Sequence, residues 1–397
     1  MSRPAAVQGV LPAVLMLLFA TGWAANYFTA MLPVLARSEG LSHATLDGAF
    51  GIYAVGLLPG LLVGGSLSDR LGRRPLLLSG AAVAGLGNLT LLCWHDHTGI
   101  FVGRLIVGVG VGVAMSAGTA WSADIGGGSG SVLAGVALSA GFGCGPFVSG
   151  LMAQFVVSAT TVPFGVTIVL TATSLLVGTF FARTPTHDVP RTPASPVAER
   201  DEEGASVVPA LSAALPMALW VFSCATVALV TMTERMQYRF SGPWIPGVAA
   251  AVTLSAGVTI QMMARRREWG SRSGVMGALA AAAGFGVVAA AGATPSLAVF
   301  LLVAVLLGVA YGLCLRQGLI DVETLTPERL RGTLTGVFYA VTYLGFGLPL
   351  LLVAIRPAVG ITAPMLVLSG LAVTAALLRA AQIRGQANTP AASRPTL

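Results

Sequence analysis

The chain has 397 residues, of which 55% are hydrophobic and only 9% charged, and its mean hydropathy is +0.84. A soluble domain needs far more polar surface, so lipid is the solvent and the class is integral membrane protein. The formal charge of +7 comes from arginine without any lysine; those arginines fall mainly at the ends of apolar segments, where positive charge sets topology, which argues against nucleic-acid binding.

A spanning helix needs about 20 mostly apolar residues. Twelve such segments fit, near 10 to 36, 46 to 67, 75 to 94, 99 to 123, 131 to 156, 161 to 182, 208 to 233, 244 to 264, 274 to 292, 296 to 316, 333 to 355 and 359 to 381. The first run is too long for a cleavable signal peptide and lacks a small-residue cleavage site, so it reads as a span. Its middle, "FATGWAANYFTAMLP", offers only Asn26 and Tyr27 as polar groups. Asp47 stands 18 residues before Gly65, about 27 Å of helix, which places it at the outer end of span two.

Between spans two and three comes "GGSLSDRLGRRP". Gly65 admits a neighbouring helix and Gly72 permits the turn, while Arg70, Arg73 and Arg74 anchor the loop. Asp69 is an anion within that cationic cluster, able to accept charge-assisted bonds or face a helix N-terminus. Arg104 lies inside span four, and an unpaired arginine in hydrocarbon costs at least ~2.5 kcal/mol, so it must face a cavity or an acceptor, or snorkel to the outer surface. The "WHDH" loop around His95, Asp96 and His97 is a wet external loop or a surface metal site. In span five, "GFGCGPFVSG" carries Gly141, Gly145, Pro146 and Gly150, a groove of small residues with a proline kink. The four cysteines, Cys93, Cys144, Cys224 and Cys314, have no paired spacing for zinc or a disulfide framework and read as small packing residues.

The stretch at 183 to 204 has four prolines and eight charged residues and reads as a cytoplasmic linker, 183–207, between a first six-helix bundle, 1–182, and a second, 208–397. A shift of 192 residues lays Gly65 on Gly257 and Arg73 and Arg74 on Arg265 and Arg266, whereas Asp69 falls on Gln261. The second copy keeps the cations and loses the acid. Seventeen arginines against four, in alternating loops, place both termini in the cytoplasm.

The chain resembles the major facilitator superfamily of secondary transporters over nearly its whole length. The hallmark loop G-x-x-x-D-R-x-G-R-R is met by Gly65, Asp69, Arg70, Gly72, Arg73 and Arg74. The "RLIVGVGVG" stretch from Arg104 resembles the span-four motif, with Val107 where glutamine is common. Gly141, Gly145, Pro146 and Gly150 resemble the span-five signature of the drug:proton antiporter, or exporter, branch; Ser149 replaces one glycine of that signature, and Val132 stands where another is often found. The resemblance implies an all-α fold of twelve transmembrane helices in two six-helix bundles, and alternating access. It also implies a cytoplasmic latch in which Asp69 meets the stretch around Arg331, Gly332 and Thr333 while motif arginines reach Asp124.

Relatives often carry a coupling carboxylate in span one, and this chain does not. The membrane-proximal acids left are Asp47 and Glu234, each a solvated helix-end charge or, with Arg104, an outer-side proton or gating site. By family analogy the substrate region draws on Asn26, Tyr27, Arg104, Trp121, Met232 and Gln317. The expected function is proton-coupled efflux of small amphipathic molecules by a monomer in the plasma membrane, with lipid, protons and a small substrate as partners and no cofactor or resident metal. A proton-linked importer or uniporter and a non-transporting receptor are the alternatives; no activated nucleophile or nucleotide motif supports an enzyme.

Overall fold

The computed structural model describes residues 9–181, 207–326 and 330–388. The expected linker, with Arg3, Arg329 and Arg394, lies outside the described residues. Hydrocarbon supplies no hydrogen-bond partners, so a chain that crosses it must satisfy its backbone within each segment. Accordingly the described residues form helices and no strand. Twelve are long and apolar enough to cross a membrane: α1 (Val10–Ser38), α2 (His43–Leu71), α3 (Arg73–Cys93), α4 (His97–Gly127), α5 (Ser129–Phe155), α6 (Val162–Phe181), α7 (Val208–Met236), α8 (Trp244–Arg266), α9 (Arg272–Ala290), α10 (Leu297–Leu325), α11 (Thr333–Val359) and α12 (Ala363–Gly385).

The ends of these helices have local causes. Ser42, Asp96 and Ser296 cap α2, α4 and α10 by accepting the N–H of Thr45, Gly99 and Val299. Gly72 turns the chain into α3 at φ 97°, and Gly127 breaks α4 from α5 at φ 58°, backbone conformations that a side chain opposes. Several helices outrun the expectation, α10 by the most. α10 continues to Leu325 rather than ending near 316, and α7 reaches Met236 rather than 233. The charged residues that looked like helix ends have partners inside the bundle, so they do not stop the helix.

Packing divides the described chain into two compact units. One comprises 9–181 with Gln237–Ala251, the other 207–236 with 252–388. The expected boundary at 208 therefore misses one stretch, the start of α8, which belongs to the first unit. There Gly247 stands against Pro146 and Phe147 of α5, and a Cβ on Gly247 would lie 2.8 Å from the Pro146 carbonyl oxygen.

In the first unit, Val14, Leu17 and Leu18 of α1 join Leu77, Ala114, Ala117, Trp121 and Leu138 of α3, α4 and α5 in one core. Glycines set the helix spacing: Gly60 faces the Val109 carbonyl with room for only 2.7 Å to a Cβ, and Gly87 faces the Val107 backbone at 2.6 Å. Without a hydrophobic driving force between helices in lipid, such close backbone approach supplies the packing energy. In the second unit Gly257 of α8 fits against Tyr311 of α10, and Gly277 of α9 against Cys314.

Candidate functional site

At the α2–α3 turn the expected motif residues come together around one guanidinium. Arg73 reaches Asp69 at 2.8 Å, one turn back on the chain, and Asp124 at the end of α4 at 2.9 Å. Arg73 also donates to Ser68, and Arg74 donates to the Thr179 carbonyl of α6 at 2.9 Å. These arginines therefore tie α2, α4 and α6 to one another. Asp69 and Asp124 keep 38% and 53% of their side chains exposed, which leaves both carboxylates within reach of further partners. The expected partner stretch begins with Arg331 and Gly332, whose side chains lie outside the described residues.

Arg104 does not snorkel. It is 1% exposed, and its guanidinium lies over three rings, Tyr53 at 4.2 Å, Phe28 at 4.7 Å and Phe50 at 5.7 Å from their centroids. Its Nη1 donates to the Ala25 carbonyl at 3.1 Å and its Nε to the Ala49 carbonyl at 3.4 Å. Ala25 precedes the break in α1 at Tyr27, where the helical ladder is interrupted and a carbonyl can take a side-chain donor. Arg104 is thus a desolvated cation held by ring faces and backbone oxygens. Asp47 is buried in the second turn of α2, two residues before Ala49.

Four of the residues expected near substrate have packing or polar partners in this structure. Asn26 donates its amide to the Phe142 carbonyl at 2.9 Å and accepts from Thr29. Tyr27 is buried edge-on against Phe164 of α6, with centroids 5.5 Å apart. Met232 and Trp121 are buried. Gly141 and Gly145 form the groove that receives α1: a Cβ on Gly141 would meet the Trp23 nitrogen at 2.8 Å, and one on Gly145 the Trp23 carbonyl at 3.0 Å, whereas one on Gly150 would meet the Pro243 carbonyl at 2.6 Å.

At the other acid candidate, Glu234 lies 3.9 Å from Arg356. Its neighbour Arg235 is buried and donates to the carbonyls of Val288, Gly292 and Ile361. At the start of α4, His97 bonds Thr45 at 2.8 Å while His95 turns toward the Phe164 ring, so the two imidazoles serve different partners. The Asp96 carboxyl titrates below the usual aspartate range, chiefly because the Gly99 N–H stabilises its anion.

The sequence reading missed one polar cluster. Asp321 and Arg379 form a 2.6 Å ion pair between α10 and α12, with both side chains about 5% exposed or less. The signal was present: Gln317 and Asp321 are four apart in "RQGLIDV", where Leu, Ile and Val still continue the span.

Comparison with known proteins fits this geometry. The family model described as Major Facilitator Superfamily matches residues 14–349. The "Multidrug resistance protein MdtL" of Klebsiella pneumoniae (strain 342) is 34% identical over 98 residues, 25% of this chain and 24% of that protein. The "3-(3-hydroxy-phenyl)propionate transporter" of Escherichia coli (strain K12) is 39% identical over 82 residues, 20% of each chain. The matched stretches thus span about a quarter of these relatives or less. Among solved structures, a POT family transporter in complex with 5-aminolevulinic acid superposes with a TM-score of 0.75 at 14% identity, covering 96% of this chain and 100% of that one. A D-xylose-proton symporter superposes at 0.73 with 16% identity, covering 94% and 97%. At such identities the likeness establishes the fold.

Proposed function

Because the chain belongs to the Major Facilitator Superfamily, and is thereby a membrane transporter rather than an enzyme, we propose that it exports small amphipathic molecules in exchange for protons. The observation that carries this reading is the α1–α5 contact through Gly141 and Gly145, within the stretch where the antiporter-type signature resides. The similarity of a quarter of the chain to MdtL, a multidrug resistance protein by name, supports the same direction. In this reading both termini lie in the cytoplasm, Arg73 with Asp69 and Asp124 forms the cytoplasmic latch, and Asp47 beside the Arg104 site is the outer-side proton group. The latch residues are well placed to switch because their carboxylates are half-exposed and their pairs cheap to break.

A second reading has an observation of its own. Among the described residues Arg104 makes no ion pair and is satisfied only by carbonyls and rings, a cation that suits an aromatic carboxylate. That favours proton-linked uptake of an aromatic acid, the substrate type in the name of the second relative.

One experiment separates the two. Cells expressing the chain are challenged with ethidium, other cationic dyes and 3-phenylpropionate, with and without a protonophore. Lower dye accumulation that reverts on collapsing the gradient supports efflux; gradient-dependent accumulation of the acid supports uptake. Accumulation of every compound unchanged by expression would sink both.

A further inference from the structure

The buried pair in the second unit has an unusual hydrogen-bond pattern. Arg379 Nη2 and Gln317 Nε2 both donate to Asp321 Oδ1, at 2.6 and 2.8 Å. Gln317 is oriented in turn by Ser273 of α9, which donates to its Oε1 at 2.9 Å and accepts from Arg316 at 3.3 Å. Asp321 Oδ2 and Arg379 Nε are buried without any hydrogen-bond partner. All of the donors converge on one oxygen, and the other is left bare.

A clamp between two helices would use both oxygens, because the guanidinium fork matches a carboxylate bidentately. Here one nitrogen and one oxygen make the link, and a nitrogen and an oxygen stay idle. Buried ion pairs can often be replaced by apolar residues without loss of stability. A charged pair retained inside a spanning helix therefore points to function.

The surroundings specify which function. The groups facing the pair are Arg379 and Gln382 on α12, Arg316 and Gln317 on α10, Ser273 on α9, and the Ser212 carbonyl of α7, which accepts from Gln382. Arg316 in turn feels the charge of Arg265 on α8. Glu323 and Glu268 are exposed, so Asp321 is the acid in this cluster among the described residues. A proton placed on Oδ2 leaves Oδ1 a carbonyl oxygen that still accepts from Gln317, and weakens only the charge-assisted link to Arg379. Asp321 lies four residues before the end of α10 at Leu325, about 6 Å of helix, so water at that end is close.

We propose that Asp321 is a proton-carrying carboxylate of the second bundle, with Arg379 as the counter-charge its protonation releases. Ionised, Asp321 ties α12 to α10. A proton taken from water onto Oδ2 frees Arg379, and its return to water restores the tie; no other bond is made or broken. This rests on the proton-coupled reading above and adds a site in the half of the molecule where that reading names none.

The test uses the full chain in lipid nanodiscs, as wild type, as Asp321→Asn, and as the charge-neutral pair Asp321→Asn with Arg379→Gln, which avoids leaving a lone buried cation. Difference infrared spectra are recorded across a pH titration. Beyond the bands of its other carboxyl groups, the wild type is expected to show one carboxylic-acid C=O component that appears with acidification and is missing from both variants; no such component in the wild type, or one unchanged in the variants, overturns the proposal. In proteoliposomes with ethidium as probe, the neutral pair should lose gradient-driven accumulation by about tenfold while ethidium exchange without a gradient stays within about twofold. Loss of both together would mark the pair as a structural tie and overturn the proposal. If the wild type fails to move ethidium, the efflux reading falls by itself, and the infrared titration still decides the role of Asp321.

Discussion

Asn26 donates its side-chain amide to the Phe142 carbonyl, 2.9 Å away on a neighbouring helix. The carbonyl is available because Pro146, four residues on, has no N–H to give it. The second unit repeats the device. Pro349 withholds its N–H from the Gly345 carbonyl, which takes a hydrogen bond from Thr226 at 2.9 Å and the N–H of Leu348 in a 3-10 turn. Thus α1 serves α5 as α7 serves α11. This internal correspondence is stronger than the loop match at a shift of 192 residues, because it joins residues far apart in each half.

The device predicts a thermodynamic cycle. Asn26→Leu should destabilise the protein by roughly 0.6–1.7 kcal/mol, the range for interhelical hydrogen bonds in membranes. In a Pro146→Ala background, where the helix satisfies its own carbonyl, the same change should cost about nothing. Thermal melts of the four proteins measure the coupling, and strictly additive losses would show that Asn26 does not serve that carbonyl.

The α5 groove predicts a contrast between two glycines on one helix. Gly141→Ala drives a Cβ into the backbone of α1, whereas Gly135 has nothing within 4 Å. The first should cost about 1–3 kcal/mol by overpacking, and Gly135→Ala should stay within about 0.5 kcal/mol of wild type or gain from helix propensity. Folded yield by size-exclusion fluorescence ranks them, and equal yields would refute close packing there.

Arg104 predicts that stability and transport separate. Arg104→Leu removes a charge whose insertion costs at least ~2.5 kcal/mol, so the thermal midpoint should hold or rise even after about 2 kcal/mol of ring contact is lost. Transport of whichever probe the cell assay identifies should fall by about tenfold or more. Arg104→Lys should not rescue it, since a compact ammonium cannot reach two carbonyls while lying flat on the rings. Full activity in the lysine variant would reduce Arg104 to a generic charge.

The Asp69 latch predicts the opposite pairing of small energies with a large effect. Both of its ion pairs are partly exposed, so each contributes under about 1 kcal/mol to stability. Asp69→Asn should insert with unchanged topology and melt within a few degrees of wild type, yet transport about tenfold more slowly. Topology is read by cysteine labelling and transport in the same cells. Unchanged transport would leave the stretch as an anchor.

Asp96 predicts a pH effect at the start of α4. Its folded-state carboxyl is held below the ordinary value of about 3.9, so its cap stabilises the fold above that value and is lost as pH falls through the lower folded one. The gap in thermal midpoint between wild type and Asp96→Ala should therefore be open at about pH 6 and narrow as pH falls below the ordinary aspartate value. A gap that persists in acid would assign the cap to the neutral form.

The twelve helices, their order and the class of the protein are determined by the sequence alone, because lipid forces each segment to be long, apolar and self-bonded, and such segments stand out one by one. The loop motif is legible for the same local reason: Asp69, Arg70, Gly72, Arg73 and Arg74 share a few residues of chain. Asp124 joins them only through 51 residues of intervening helix and loop, a partnership that required the family resemblance to suspect. Where a charge looked like the end of a span, local reading failed. Arg235, Asp321 and Arg379 lie at or beyond the expected span ends, yet three distant carbonyls satisfy the first and the other two satisfy each other. Burial of a charge is decided by partners that folding brings from other helices, and no window of sequence contains them. Only the tertiary structure turned Arg104 inward onto three rings, assigned Asn26 to the carbonyl that Pro146 leaves open, and left one oxygen of Asp321 bare.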